Sequence, residues 1–231
     1  MKPKTMLCAS IAEATLPEVM KAVEKAGEAD LIEIRADALR EPTRELLRRL
    51  LEEVKAASGK EVILTLRAEA EGGAFKSGEE ERRELLRAGI SVADYVDLEL
   101  GMPALQSMVE EAKEGNTRVI ISHHDFNSTP SGEQMLRVLR DELRAGADIA
   151  KLAVRANNVG DVLRLLEVTL EASRYGRVCT ISMGEYGRLS RMASPLFGSV
   201  LTYGYVSTPT APGQLSLVEL RQALRILGVK K

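Results

Sequence analysis

Lys151 stands in the run Asp148-Ile149-Ala150-Lys151-Leu152-Ala153-Val154, a charged residue among small and apolar neighbours on what reads as a β-strand. Burial strips an ammonium group of its hydration and biases it toward the free amine, by up to ~3–5 pKa units in documented cases. A free amine attacks carbonyl carbon, so a lysine in this setting can carry Schiff-base chemistry. The same position also suits a buried ion pair with Asp97 or Glu99, or a side chain that snorkels past the strand end. Spacing alone leaves these readings open.

The chain has two histidines, and they are adjacent, in Val119-Ile120-Ile121-Ser122-His123-His124-Asp125-Phe126. Neighbours on a strand point to opposite faces, so one imidazole at most shares a face with Ile120 and Ser122. That one is His124, which is expected to point inward beside other polar groups, where an imidazole can act as general acid or base. His123 is expected to be a structural side chain.

Three further strands keep one apolar and one polar phase. Glu33 and Arg35 alternate with Ile32 and Ile34, Thr65 and Arg67 with Leu64 and Leu66, and Asp97 and Glu99 with Val96 and Leu98. A parallel sheet covered by helices has no wet face, so the repeated polar phase needs a site to face. If helices cover the outside of a barrel, these charges converge at its C-terminal mouth, where barrel active sites lie. Two loops are expected near that mouth. One follows Arg67 and carries Glu69, Glu71, Gly72 and Gly73, as a flexible lid or site loop would, or as an ordinary solvated turn would. The other runs from Thr208 through Pro212 and Gly213 to Gln214.

The elements that must hold these residues alternate regularly. Strands are expected at 5–10, 30–35, 62–67, 95–99, 118–124, 148–154, 178–183 and 201–205, and helical spacing of apolar residues at 41–57, 79–88, 102–114, 132–145, 159–175 and 216–227. Ser216 with Glu219 is a capping-box start, and Gly59, Gly115, Gly146 and Gly176 sit where helices would end on a positive φ. Strands separated by helices run parallel. Eight such units with no linker predict one domain, 1–231, folded as a (β/α)8 barrel. An open doubly wound sheet is the alternative, weakened by the lack of a G-x-G-x-x-G after the first strand.

Composition narrows the class further. The 231 residues are 45% apolar and 29% charged, with 32 Lys+Arg against 34 Asp+Glu. No surplus of cations is available to grip nucleic acid, and no run of ~20 uncharged apolar residues is available to span a membrane. Cys8 and Cys179 lie far apart in apolar runs, without disulfide or zinc spacing. The stretch 1–12 has two lysines and a short apolar patch that Glu13 interrupts before a signal-peptide core is complete, so a cytoplasmic chain is expected. No G-x-S-x-G, Walker A or H-E-x-x-H motif occurs.

Taken in order, several segments resemble the type I 3-dehydroquinate dehydratases of the shikimate pathway. They are Glu33-Ile34-Arg35-Ala36-Asp37, Arg67 with Glu71-Gly72-Gly73, Ser122-His123-His124-Asp125-Phe126, Ala147-Asp148-Ile149-Ala150-Lys151, Ser182-Met183-Gly184 through Ser190-Arg191, Phe197-Gly198-Ser199, and Ala211-Pro212-Gly213-Gln214. The resemblance implies a (β/α)8 barrel, a homodimer, and the metal-free, cofactor-free syn elimination of water from 3-dehydroquinate to 3-dehydroshikimate. It implies Lys151 as the Schiff-base lysine, His124 as general acid/base and Glu71 as the carboxylate that orients it. Arg191 would hold the substrate carboxylate, Glu33, Arg35 and Arg67 would grip ring hydroxyls and tune charge near the imine, and Ser10, Thr210 and Gln214 would complete the pocket. The sequence departs from the family's usual pattern at Thr210, where serine is common, and at Ala74, where an acidic residue often follows the glycine pair. A class I aldolase or a catalytically idle metabolite-binding barrel are the competing readings.

Overall fold

The computed structural model describes residues 5–229; residues 1–4, part of the N-terminal stretch discussed above, and 230–231 lie outside the described residues. Eight strands alternate with helices in chain order: β1 Met6–Ile11, α1 Leu16–Lys25, β2 Leu31–Arg35, α2 Arg44–Ser58, β3 Glu61–Thr65, α3 Glu79–Ile90, β4 Tyr95–Glu99, α4 Leu105–Glu114, β5 Arg118–Asp125, α5 Gly132–Arg144, β6 Ile149–Arg155, α6 Val159–Ala172, β7 Val178–Met183, α7 Arg188–Ala193, β8 Leu201–Tyr205 and α8 Leu217–Ile226. All the strand pairs are parallel, and the order runs β7-β6-β5-β4-β3-β2-β1-β8. The ring closes between its two ends through one bridge, Val178 to Ser199, with the Val200 amide donating to the Val178 carbonyl at 2.8 Å. This is the expected (β/α)8 barrel in a single domain.

Local sequence accounts for most boundaries. Thr43 caps α2, Asn158 caps α6, and capping boxes open α5 at Ser131 and α8 at Ser216, the last as expected. Two helices, α1 and α7, were not evident from periodicity: α1 is a ten-residue helix entered through Pro17, and α7 has six residues. Of the expected glycine caps, Gly59 and Gly146 take positive φ, whereas Gly115 has φ −79° and the left-handed role passes to Asn116. β3 ends at Thr65, so Arg67 lies just past the strand rather than on it.

The inward phase of the strands has two levels. At the N-terminal end Leu31, Ile63, Tyr95, Ile120 and Ile149 join Cys8, Cys179 and Leu201 in a buried apolar plug. Two residues further along the same phase stand Glu33, Thr65, Asp97, Ser122 and Lys151, all buried. The opposite phase, including Ile32, Ile34, Val62, Leu64, Val96, Leu98, Val119 and Ile121, packs under the helices. Burying these faces, at roughly 25 cal/mol per Å2 of apolar area, closes the barrel and puts the polar level over a dry floor.

Candidate active site

Lys151 points into the barrel from β6, and its Nζ donates to Asp97 Oδ2 at 2.8 Å while lying 3.8 Å from Glu33 Oε1. Of the readings left open by spacing, the fold makes the ion pair with Asp97. Asp97 is also held by Arg67 Nη2 at 2.8 Å and by the Ser122 hydroxyl, which donates to it at 2.6 Å. Arg67 Nη1 reaches Glu99 Oε1 at 2.9 Å, and Glu99 Oε2 accepts from Arg82 Nη1 at 2.7 Å. Arg82 comes from α3, outside the barrel, and its Nη1 also donates to the Leu66 carbonyl at 2.7 Å. Glu33 accepts from Ser10 at 2.5 Å and from Thr65 at 2.9 Å.

Three carboxylates, Glu33, Asp97 and Glu99, thus face three cations, Arg67, Arg82 and Lys151, all of them buried. A cluster of this kind persists only if each charge is paired. Burial alone would raise the Asp97 carboxyl, but Arg67 and Lys151 outweigh it and hold the group well below the usual carboxylate range.

His124 follows on β5, two residues beyond Ser122. Its Nδ1 lies 2.8 Å from Glu71 Oε2, and its backbone amide donates to the same oxygen at 3.0 Å. Burial, helped by the nearby Arg67 charge, lowers the imidazole to about 3, while Glu71 is brought to about 2 because its histidine contacts outweigh the cost of burial. At neutral pH the pair is therefore a neutral imidazole donating from Nδ1 to a carboxylate, which leaves the Nε2 lone pair free to take a proton. His123 is 40% exposed in its side chain and stays 3.7 Å from Glu71 Oε1.

Glu71 reaches His124 from a tight turn in the loop that follows Arg67. Glu69–Glu71 forms a single 3-10 turn ending at Gly72, φ 79°, whose α-carbon packs on the Phe126 ring. A β-carbon on Gly73 would come within 1.9 Å of the Arg67 carbonyl oxygen. At both glycines a side chain would collide with its surroundings, so the pair permits the close packing of this loop.

Arg191 enters from α7 at the loosely closed seam between β7 and β8. The Ser190 hydroxyl accepts from the Ser182 amide at 2.8 Å, and the Thr202 hydroxyl donates to the Arg191 carbonyl at 2.8 Å, pinning the short helix to both strands. Arg191 is 2% exposed, donates from Nη2 to the Pro212 carbonyl at 3.2 Å, and has no hydrogen-bond partner at Nε among the described residues. Burial lowers it to about 10, still cationic at neutral pH. Arg35, by contrast, is engaged by Asp37 through Nε at 2.9 Å and Nη2 at 2.8 Å. Gln214 Oε1 accepts from the Thr210 amide and hydroxyl, and that hydroxyl lies 3.0 Å from the Ser10 hydroxyl.

All ten site residues expected from the sequence line one cavity, open at the C-terminal mouth: Lys151, His124, Glu71, Ser10, Glu33, Arg35, Arg67, Arg191, Thr210 and Gln214. Phe126, Ile181, Met183 and Tyr203 complete an apolar side that sequence reasoning did not assign. Nor did it single out Arg82, whose setting Glu79-Glu80-Glu81-Arg82-Arg83 reads as a solvated helix face. Asp97 and Glu99 were legible as inward carboxylates and as candidate ion-pair partners of Lys151, and the pair forms with Asp97.

A family model for type I 3-dehydroquinase matches residues 7–231. The chain belongs to that family. It is 41% identical to the 3-dehydroquinate dehydratase of Methanosarcina mazei, over 98% of this chain and 96% of that protein. Among solved structures, the 3-dehydroquinate dehydratase of Geobacillus kaustophilus superposes with a TM-score of 0.93 at 32% identity, covering 98% of this chain and 92% of that one. The type I enzyme of Clostridium difficile, crystallised with covalent modified comenic acid, superposes with a TM-score of 0.91 at 30% identity, covering 98% of this chain and 93% of that one. This type I dehydroquinase is therefore an enzyme of the hydro-lyase class, and neither an aldolase nor an idle binding barrel.

Proposed function

We propose that this dehydroquinase removes water from 3-dehydroquinate by a syn elimination through a Schiff base on Lys151, as a step of aromatic amino-acid biosynthesis. The observation that carries the reading is the juxtaposition at one mouth of a buried lysine, a neutral imidazole held by a carboxylate, and a buried guanidinium with no carboxylate partner among the described residues. The comenic acid in the clostridial relative is covalently modified, which supports a covalent route here.

Arg191 takes the substrate carboxylate, satisfying the guanidinium that burial leaves short of partners. Ser10, Glu33, Arg35, Arg67, Thr210 and Gln214 supply polar groups for the ring hydroxyls. The Lys151 ammonium passes one proton to solvent water, its nitrogen attacks the ring-ketone carbon, and a second N–H proton moves to the carbonyl oxygen to give a neutral carbinolamine. A proton returned from solvent lets the carbinolamine hydroxyl leave as water, so that a C=N bond replaces C=O and the imine nitrogen carries the positive charge. That cation draws electrons from the adjacent C–H bond, whose proton passes to His124 Nε2. The enamine then pushes out the β-hydroxyl, which leaves as water with the proton from His124. Water adds to the imine, restores the ketone and releases Lys151. Positioned acid/base groups of this kind typically contribute ~10²–10⁴-fold in rate, and Glu71 keeps His124 in the tautomer that can act.

The enzyme is expected to be a cytoplasmic homodimer. Free, buried Cys8 and Cys179 suit a reducing compartment. Val159, Leu163 and Leu170 leave one face of α6 apolar and 47–53% exposed, as an interface between copies would. Among the described residues no helix is long and apolar enough to cross a membrane. The test is turnover of 3-dehydroquinate by the wild type and by Lys151→Ala. The variant is expected to bind substrate and lose turnover; retained turnover would defeat the reading.

A further inference from the structure

Besides its carboxylate neighbours, Lys151 meets an aromatic face. The Nζ sits 4.5 Å from the centroid of the Tyr203 ring. Tyr203 is on β8, in register with Cys8 of β1, and is 3% exposed among the apolar plug residues while lining the cavity. Its hydroxyl is buried with no hydrogen-bond partner among the described residues. Burial pushes the phenol well above its ordinary range, with Glu33 adding in the same direction, so the group is a neutral phenol and not a phenolate. What Tyr203 offers the lysine is its π face.

We propose that Tyr203 is a further catalytic residue, whose ring face stabilises the cationic nitrogen of Lys151 through the covalent imine. This inference rests on the Schiff-base reading above. The ammonium has three N–H donors, and Asp97 is held by one of them. A protonated imine keeps one N–H, so hydrogen bonding to carboxylates weakens as the C–N double bond forms. An aromatic quadrupole attracts a cation without needing an N–H bond. The ring therefore continues to stabilise the charge when the directional partners are fewer. Its effect falls on one equilibrium: the neutral carbinolamine loses hydroxide, as water after protonation, to give the cationic imine, and only the cation gains from the ring. The desolvated setting strengthens the attraction relative to an exposed pair.

The test separates charge from shape. Tyr203→Phe keeps the ring and is the reference for chains carrying mono-, di- and trifluorinated phenylalanine at position 203, in which fluorine drains the ring face with little change in volume. Each protein is saturated with 3-dehydroquinate and treated with borohydride, and the fraction reduced onto Lys151 is measured by intact mass. The ratio of imine to carbinolamine is expected to fall stepwise with fluorine count, by about 3- to 30-fold across the series, the range of a buried cation–π contact. A flat series with trapping intact would overturn the role of Tyr203 alone. Loss of trapping already in Tyr203→Phe would also overturn it, because the hydroxyl rather than the ring face would then matter. Absence of trapping in the wild type would instead defeat the Schiff-base reading itself. Packing at this position is kept nearly constant, so a merely structural role would not give a graded response.

Discussion

Lys151 and Asp97 meet at 2.8 Å inside the barrel, on strands β6 and β4 that are separated by β5. The contact spans the polar level of the interior, and Arg67 holds the other oxygen of the same carboxylate. Asp97 is thus the shared counter-charge of two buried cations. Asp97→Asn would leave Lys151 with only the more distant Glu33 and Arg67 with Glu99 alone, and breaking a buried pair costs about 3–5 kcal/mol. In a chain of this size that is a fall in Tm of about 6–20 °C. Calorimetry on wild type and variant at neutral pH checks it, and an unchanged melting temperature would show that the cluster is not held together by this carboxylate.

His124 and Glu71 act after the covalent step. His124→Ala is expected to reduce kcat by about 10²–10⁴-fold while still forming the imine, which should accumulate and be trapped in greater yield than in wild type. Glu71→Gln removes the charge that fixes the imidazole and should cost about 10–100-fold, in keeping with the effect of losing a supporting hydrogen bond. Rapid-quench trapping alongside steady-state rates distinguishes the steps. Loss of imine formation in His124→Ala would move the histidine to an earlier role.

Arg191 separates binding from stability. Its guanidinium is buried without a carboxylate partner among the described residues, so Arg191→Met removes an unpaired cation from the unliganded protein while deleting the fork for the substrate. The expected result is a KM raised by about 10- to 100-fold, the value of a charge-assisted hydrogen bond, with a melting temperature equal to or above that of the wild type. A variant that lost stability but kept its KM would contradict the assignment.

Acid should destabilise the fold over a defined window. His124 is lowered from 6.5 to about 3 in the folded protein, so the unfolded chain takes up its proton first and stability falls as pH drops from 6.5 toward 3. Glu71 is lowered from 4.5 to about 2, so its contribution is full above 4.5 and lost on the way to 2. Both act in the same direction. Urea midpoints measured from pH 7 to 3 should decline throughout in the wild type, and less steeply in His124→Ala between pH 6.5 and 4.5. Parallel curves for the two proteins would refute the burial of a neutral imidazole.

The barrel was legible because each strand carries its own instructions. Leu31-x-Glu33-x-Arg35 and Tyr95-x-Asp97-x-Glu99 pass from apolar to charged along a single phase, which encodes both the dry floor and the polar mouth. Ten site residues could be named from such phases together with a family likeness. What escaped lay in residues whose roles depend on tertiary approach. Arg82 looks like one more charge on a helix surface until α3 docks and sends it to Glu99. Tyr203 reads as an ordinary strand aromatic, and only closure of β8 onto β1 brings its face under Lys151. The contacts of Gly72 and Gly73 were hidden too, because sequence gives a glycine's freedom but not the Phe126 ring or the Arg67 carbonyl that will surround it.

The most direct test of the central claim is to reduce the enzyme with borohydride during turnover of 3-dehydroquinate and map the modified peptide by mass spectrometry. The account predicts one adduct, on the side chain of Lys151, and none in Lys151→Ala. An active enzyme that gives no adduct, or carries it on another residue, would contradict it.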